Sequence, residues 1–227
     1  MPHGWIILDK PLGLGSTQGV AAVKRVLREA GHNMKLKGGL KVGHGGTLDP
    51  LASGVLPIAI GEATKLTGRM LDADKIYRFT VRFGVETDTL DLEGKPVAES
   101  PVRPTAEEIA SLLPHFTGPI AQVPPAYSAL MVAGQRAYDL ARAGAAVELP
   151  ARQVTIHALS LNATDAESAT FTAHVSKGTY IRSLAHDFGQ LLGCGAYLSS
   201  LCRTRIGSFG LAASQTIEDF AASLQHP

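Results

Sequence analysis

The chain has 227 residues, enough for one large domain or two small ones. Hydrophobic residues at 45% and charged residues at 18% are those of a globular protein, and a net charge of +1 announces no polyanionic partner. Two cysteines (Cys194, Cys202) and eight scattered histidines exclude a disulfide framework and offer no metal-ligand spacing, so neither a metal nor a cofactor is expected.

Residues 5–9 read as a short buried strand. Ser16 or Thr17 can cap a helix whose apolar face is Val20, Val23, Leu27 and Ala30, with Gly31 as its stop. Between Lys24 and Lys41 lie six basic residues (Lys24, Arg25, Arg28, Lys35, Lys37, Lys41) against one acid, Glu29. Such a stripe can steer a polyanion, and it can equally be a solvated face. Residues 75–85 alternate: Tyr77, Phe79, Val81 and Phe83 share one face, Arg78, Thr80 and Arg82 the other. Glu93 to Pro96 marks a turn. Thr105 and Glu108 form a capping box, and Pro114 is expected to end that helix. Residues 118–150, with Pro119, Pro124, Pro125, Gly134 and Gly144, suggest an excursion with little regular structure beyond a short helix near 137–143. Strands are expected at 152–161, 169–177 and 199–206. Helices are expected from about Tyr180 to Leu192 and after Thr216. Helices punctuating strands without a regular β-α-β alternation argue for an α+β fold on a mixed, largely antiparallel sheet.

No apolar run approaches the ~18 residues that a membrane helix needs. The first ten residues show no basic leader, so a cytoplasmic chain is expected. Gly13, Gly15 and Gly19 have the wrong third spacing for a dinucleotide loop, and Gly61 to Lys65 is not a phosphate-binding loop.

The most informative stretch is His44-Gly-Gly-Thr-Leu-Asp49-Pro-Leu-Ala-Ser-Gly-Val-Leu56. One carboxylate, Asp49, sits in a glycine-rich turn that Pro50 stiffens. That suits a nucleophile presented to a bound substrate. Asp followed by Pro is also a common helix start, with Asp49 as N-cap. The two readings are compatible.

The run from Gly43 to Lys65, then Tyr77, then Lys177-Gly-Thr-Tyr-Ile-Arg182 resembles the TruB family of RNA pseudouridine synthases, in matching order from Leu8 to about Phe209. The resemblance implies the pseudouridine-synthase fold, a bent sheet flanked by helices. It implies isomerisation of the uridine at tRNA position 55, in the T-loop, by Asp49 acting on a flipped base, with no cofactor. Asp49, Tyr77, Arg182 and Tyr180 match the catalytic positions: nucleophile, base-stacking tyrosine, partner arginine and second tyrosine. His44, Lys65, Asp91 and Leu201 match substrate-binding positions. Residues 118–150 match the RNA-clasping insertion, in which Arg136 and Arg142 offer phosphate contacts and Met131 stands where lysine is usual.

The expected organisation is one catalytic domain over 1–227, with no C-terminal PUA-type RNA-binding domain evident. The expected partner is tRNA, met by a monomer without metal or membrane. The alternative is a tRNA-folding chaperone with little or no catalysis. A third reading, an aspartate-nucleophile hydrolase, lacks a clear second carboxylate, although Asp91 is conceivable.

Overall fold

The computed structural model describes residues 2–34, 38–132 and 134–225. They form two compact units, Met1–Tyr77 with Leu201–Pro227, and Arg78–Ser200. In chain order the first unit opens with β1 (Gly4–Lys10), α1 (Ser16–Glu29), β2 (Val42–His44), β3 (Ala52–Ile60) and α2 (Thr67–Asp72). β4 (Lys75–Phe83) leads into the second unit. There follow β5 (Val85–Thr87), β6 (Pro96–Glu99), α3 (Ala106–Phe116), β7 (Gly118–Gln122), β8 (Met131–Val132), β9 (Gln135–Arg136), α4 (Ala137–Arg142), β10 (Arg152–Thr164), β11 (Ser168–Val175) and α5 (Ile181–Leu191). β12 (Ala196–Ile206) returns to the first unit, which ends with β13 (Phe209–Gly210) and α6 (Ile217–Gln225).

In the first unit β3 is central. It is buried along most of its length, as its near-continuous apolar run requires. β1 pairs antiparallel along one edge, from Gly4 opposite Ile60 to Lys10 opposite Gly54. The other edge is shared. β2 takes Ile58–Ile60 antiparallel, and β12 takes Ala52–Gly54 parallel, with Leu201, Cys202 and Arg203 as partners. Gly54 has φ +95°, and a Cβ there would lie 2.4 Å from the Arg203 carbonyl oxygen. Only glycine lets β12 come so close. Ile7, Val55 and Ile206 form a core with Trp5, Met70 and Phe209 packed on it.

In the second unit β10 pairs antiparallel with both β11 and β7. The β4 pattern is as expected: in this unit Phe79, Val81 and Phe83 are buried while Arg78 and Arg82 are exposed. An aromatic chain runs through this core, with Phe79 on Phe171 (5.4 Å), Phe171 on Phe188 (5.1 Å) and Phe188 on Phe116 (4.7 Å). Helices on a mixed, mainly antiparallel sheet make the fold α+β, in agreement with the sequence pattern.

Four local expectations are corrected. Asp49-Pro50 starts no helix: a single Ala52 N–H to Asp49 carbonyl turn (3.0 Å) feeds directly into β3, because the apolar run that follows is core strand. Ser16 is not the N-cap of α1. Gly15 is, and its N–H donates to Gln18 Oε1 (2.7 Å). Pro114 does not end α3. It lies inside the last turn, where it forfeits one N–H bond, to the Ala110 carbonyl; the helix nonetheless runs on to Phe116, which is anchored on Phe188. Residues 118–122 are a full sheet strand, β7. Pro119 is tolerated because β7 is the last strand in the sheet order, where an absent donor is not missed. The basic-stripe residues Lys35 and Lys37 lie outside the described residues.

Candidate active site

Asp49 lies half-buried on the turn before β3, and its neighbours on both sides are clamped. Ser16, at the start of α1 and 4% exposed, both donates to the Leu48 carbonyl (2.9 Å) and accepts from the Leu48 N–H (2.8 Å). Pro50 accepts from the Gly13 N–H (2.8 Å). Arg203, 1% exposed on β12, donates Nε to the Val55 carbonyl (2.9 Å), Nη1 to Thr47 (3.2 Å) and Nη2 to Gly46 (3.1 Å). Lys10, fully buried at the end of β1, donates to the carbonyls of Leu14 (2.5 Å) and Pro11 (3.1 Å), with that of Pro50 at 3.5 Å. Burial pushes the Lys10 ammonium down to about 8, against the pull of Asp49 and with the push of Arg203.

His44 ends β2, and its Nδ1 accepts from the Gly46 N–H at 3.4 Å. Burial, and then the Arg203 charge, hold its imidazole below the usual histidine value. The ring is thus kept neutral, a flat surface suited to stacking in RNA. His44 also borders a cleft of about 370 Å³ lined by Lys24, Lys41, Gly43, Thr64 and Thr67. Leu201 pairs with Ala52, three residues beyond Asp49, and Tyr77 is buried at the end of this unit's part of β4. Lys65 is not in the clamp. It projects into solvent, 72% exposed, paired with Glu62.

The second unit gathers Arg182, Asp91 and Tyr180 around the start of α5. Arg182 is 6% exposed; it donates to the Tyr127 carbonyl (2.9 Å) and the Thr89 carbonyl (3.3 Å) and lies 3.5 Å from an Asp91 oxygen. Asp91 is itself held by the Thr89 hydroxyl (2.6 Å) and the Glu93 N–H (3.0 Å). The turn that delivers Thr89 and Asp91 contains Leu90 at φ +63°, the one non-glycine residue in the left-handed region among those described. Backbone strain of about 1 kcal/mol or more is tolerated there because the surrounding contacts over-determine the turn. Tyr180 is the N-cap of α5. Its N–H donates to Gln122 Oε1 (2.7 Å), its carbonyl accepts from Gln122 Nε2 (3.0 Å), and the Arg152 guanidinium lies 4.7 Å from its ring centroid. Arg136 and Arg142 are exposed on β9 and α4, with Arg142 5.5 Å from the Tyr138 ring centroid.

The pattern of the TruB family pseudouridylate synthase N-terminal domain matches residues 32–181, and that of the tRNA pseudouridylate synthase B C-terminal domain matches 182–226. The chain belongs to the TruB family. It is 61% identical to tRNA pseudouridine synthase B of Novosphingobium aromaticivorans, over 98% of this chain and 73% of that one. It is 57% identical to tRNA pseudouridine synthase B of Zymomonas mobilis, over 91% and 67%. Among solved structures, a Cbf5-Nop10-Gar1 complex matches with a TM-score of 0.72 at 32% identity, over 96% of this chain and 54% of that one. An H/ACA RNP bound to a substrate RNA containing 2'-deoxyuridine matches with a TM-score of 0.70 at 30% identity, over 96% and 52%. The chain therefore spans about half the length of these structural relatives. In this TruB-family chain, Lys10, Ser16 and Arg203 escaped the sequence reading. Each is an ordinary polar residue of its own strand or helix until folding buries it against the Asp49 turn. The one available signal was in β1, where Lys10 continues the face of Ile6 and Leu8; Arg203, between Cys202 and Thr204 with Arg205 two residues on, gave none.

Proposed function

We propose that this chain isomerises uridine to pseudouridine in tRNA, at position 55 in the T-loop, with Asp49 as nucleophile on a base turned out of the RNA. The observation that carries this reading is the carboxylate of a TruB-family chain held half-buried on a turn clamped at Gly46, Thr47, Leu48 and Pro50. A nucleophile must be aimed, and a turn fixed on both sides aims it. In the reaction the N1–C1′ bond breaks, the freed base rotates, and a C5–C1′ bond forms. The C5 proton leaves and N1 gains one, so atoms and electrons balance without cofactor, metal or redox partner. Attack at C1′ or at ring C6 both suit the carboxylate. Tyr77 and Leu201 line the base, His44 occupies the gap that the flipped nucleotide leaves, and Arg182, Asp91 and Tyr180 supply the fixed charge and hydrogen bonds. Lys65, Arg136 and Arg142 meet phosphates. In this reading residues 1–227 serve one reaction as a monomeric catalytic domain in the cytoplasm.

The test is pseudouridine formation on an unmodified tRNA transcript, mapped to the nucleotide, with wild type and Asp49→Asn side by side. Product at the T-loop uridine from wild type alone, with RNA affinity retained within about tenfold (~1.4 kcal/mol), is the expected result. Tight RNA binding without product from wild type would move the reading to a tRNA-folding chaperone.

A further inference from the structure

Arg203 bears on the reaction in a way that its place in the chain does not announce. Arginine keeps its charge in any protein environment, so burying one costs several kcal/mol unless its donors are satisfied (order of magnitude). Here it is 1% exposed, and its three described hydrogen bonds go to main-chain carbonyls of two segments. Nε is fixed to Val55, inside the central strand β3. Because the guanidinium is planar and rigid, that bond sets the plane in which the two Nη groups lie. Those groups then take two consecutive carbonyls, Gly46 and Thr47, just ahead of Leu48 and Asp49.

The loop is shaped to accept this grip. Gly46 has φ +140°, and a Cβ there would come 3.2 Å from Ile206 Cδ1 and 3.5 Å from Arg203 Nη1. The far side of the same turn is held independently by Ser16 on Leu48 and by Gly13 on Pro50. A hinge free at Gly46–Thr47 and pinned at Leu48 and Pro50 would let the turn rock, and with it the Asp49 carboxylate. Misplacement of a reacting group by about 1 Å can cost on the order of a hundredfold in rate.

We propose that Arg203 is a positioning residue for catalysis: it ties Gly46 and Thr47 to β3 and so sets the direction of the Asp49 carboxylate, without itself gripping the RNA. The inference rests on Asp49 as the nucleophile. Lysine at this position keeps the charge but cannot hold three carbonyls in one plane, so Arg203→Lys separates geometry from charge. Arg203→Ala opens a space that free guanidinium can enter.

The experiment uses the full chain and measures single-turnover pseudouridine formation together with tRNA affinity and melting temperature. Asp49→Asn and the exposed neighbour Arg205→Ala are run alongside. Arg203→Lys is expected to lose about a hundredfold in rate while its tRNA affinity stays within threefold of wild type. Millimolar guanidinium is expected to restore part of the rate to Arg203→Ala and to leave Arg205→Ala unchanged. A wild-type rate in Arg203→Lys overturns the proposal, as does a rate loss matched by an equal loss of affinity. Should both Arg203 variants fail to fold, Gly46→Ala strikes the same tether from the loop side: a rate loss with affinity retained supports the proposal, and an unchanged rate overturns it. Full activity in Asp49→Asn would instead overturn the nucleophile reading on which the proposal stands, an outcome that no Arg203 result can mimic.

Discussion

The Asp49 turn and the segment from Met131 to Arg142, to which the proposed function gives different tasks, are built in opposite ways. Around Asp49, Gly45, Gly46 and Leu48 are buried, and the turn is clamped by groups distant in sequence, Lys10, Gly13, Ser16 and Arg203, besides its local bonds. From Met131 to Arg142 the chain folds on itself in a two-residue hairpin and a six-residue helix. That segment leaves Met131, Arg136 and Arg142 exposed and buries Ala137. Chemistry needs one geometry, so its loop is over-determined. A grip on phosphate, the role proposed for Arg136 and Arg142, needs only charge at roughly the right distance, which surface arginines can supply.

The sharpest way to break this contrast lies at Arg182, which is buried like Arg203 but faces Thr89, Tyr127 and Asp91. Arg182→Lys should lower the single-turnover rate by about a hundredfold (~2.7 kcal/mol), because an ammonium cannot span those partners, with tRNA affinity changed far less. Equal losses of rate and affinity would place Arg182 in the grip rather than in the chemistry.

Ser16→Ala leaves the N–H and carbonyl of buried Leu48 without the hydroxyl that satisfies both. It should cost about 2 kcal/mol of stability, read from urea unfolding. A cost below a few tenths would show that the turn is held without it.

Lys10 gives the contrast a pH dependence. Its folded-state value of about 8 lies below the ordinary 10.5, so between those values the unfolded chain binds more protons than the folded one. Stability contributed at this site therefore rises with pH through that window. Wild type should gain on Lys10→Met by about 2 kcal/mol between pH 7 and pH 9.5, measured by urea unfolding of both at each pH. A constant difference across that range would mean that the ammonium is not buried as the structure places it.

The smallest effect belongs to the exposed arginines. Arg136→Ala and Arg142→Ala should each weaken tRNA binding a few-fold and lower the salt slope by about one, while leaving the rate on bound tRNA unchanged. A changed rate would make the segment part of the chemistry.

Much of the molecule is legible in its sequence, and for identifiable reasons. The alternation of β4, the Thr105–Glu108 capping box and the Thr216 cap of α6 are local: the hydrogen bonds lie within three residues, Glu108 N–H to Thr105 (3.2 Å) and Asp219 N–H to Thr216 (3.1 Å). The Asp49 motif is local too, since glycines and a proline around one acid mark a shaped turn before any fold is known. Where the turn leads was not local. Asp-Pro is good helix-start grammar, and only the place of β3 between β1 and its partners β2 and β12 makes the following residues strand. Pro119 within β7 follows the same logic, since its tolerance depends on an edge that sequence alone does not display.

What the sequence determined by itself is the family, through the resemblance of its ordered motifs, and the α+β class, through residue pattern; it also singled out Asp49 as the carboxylate to test. What only the tertiary structure decided is how that carboxylate is held. Lys10, Ser16 and Arg203 come from β1, α1 and β12, and nothing in their own segments says that they meet. They meet because burying the apolar faces of three separate elements around β3 brings their polar tips to one turn. There the unpaired main-chain carbonyls of a glycine-rich loop need donors that no neighbour in sequence can supply.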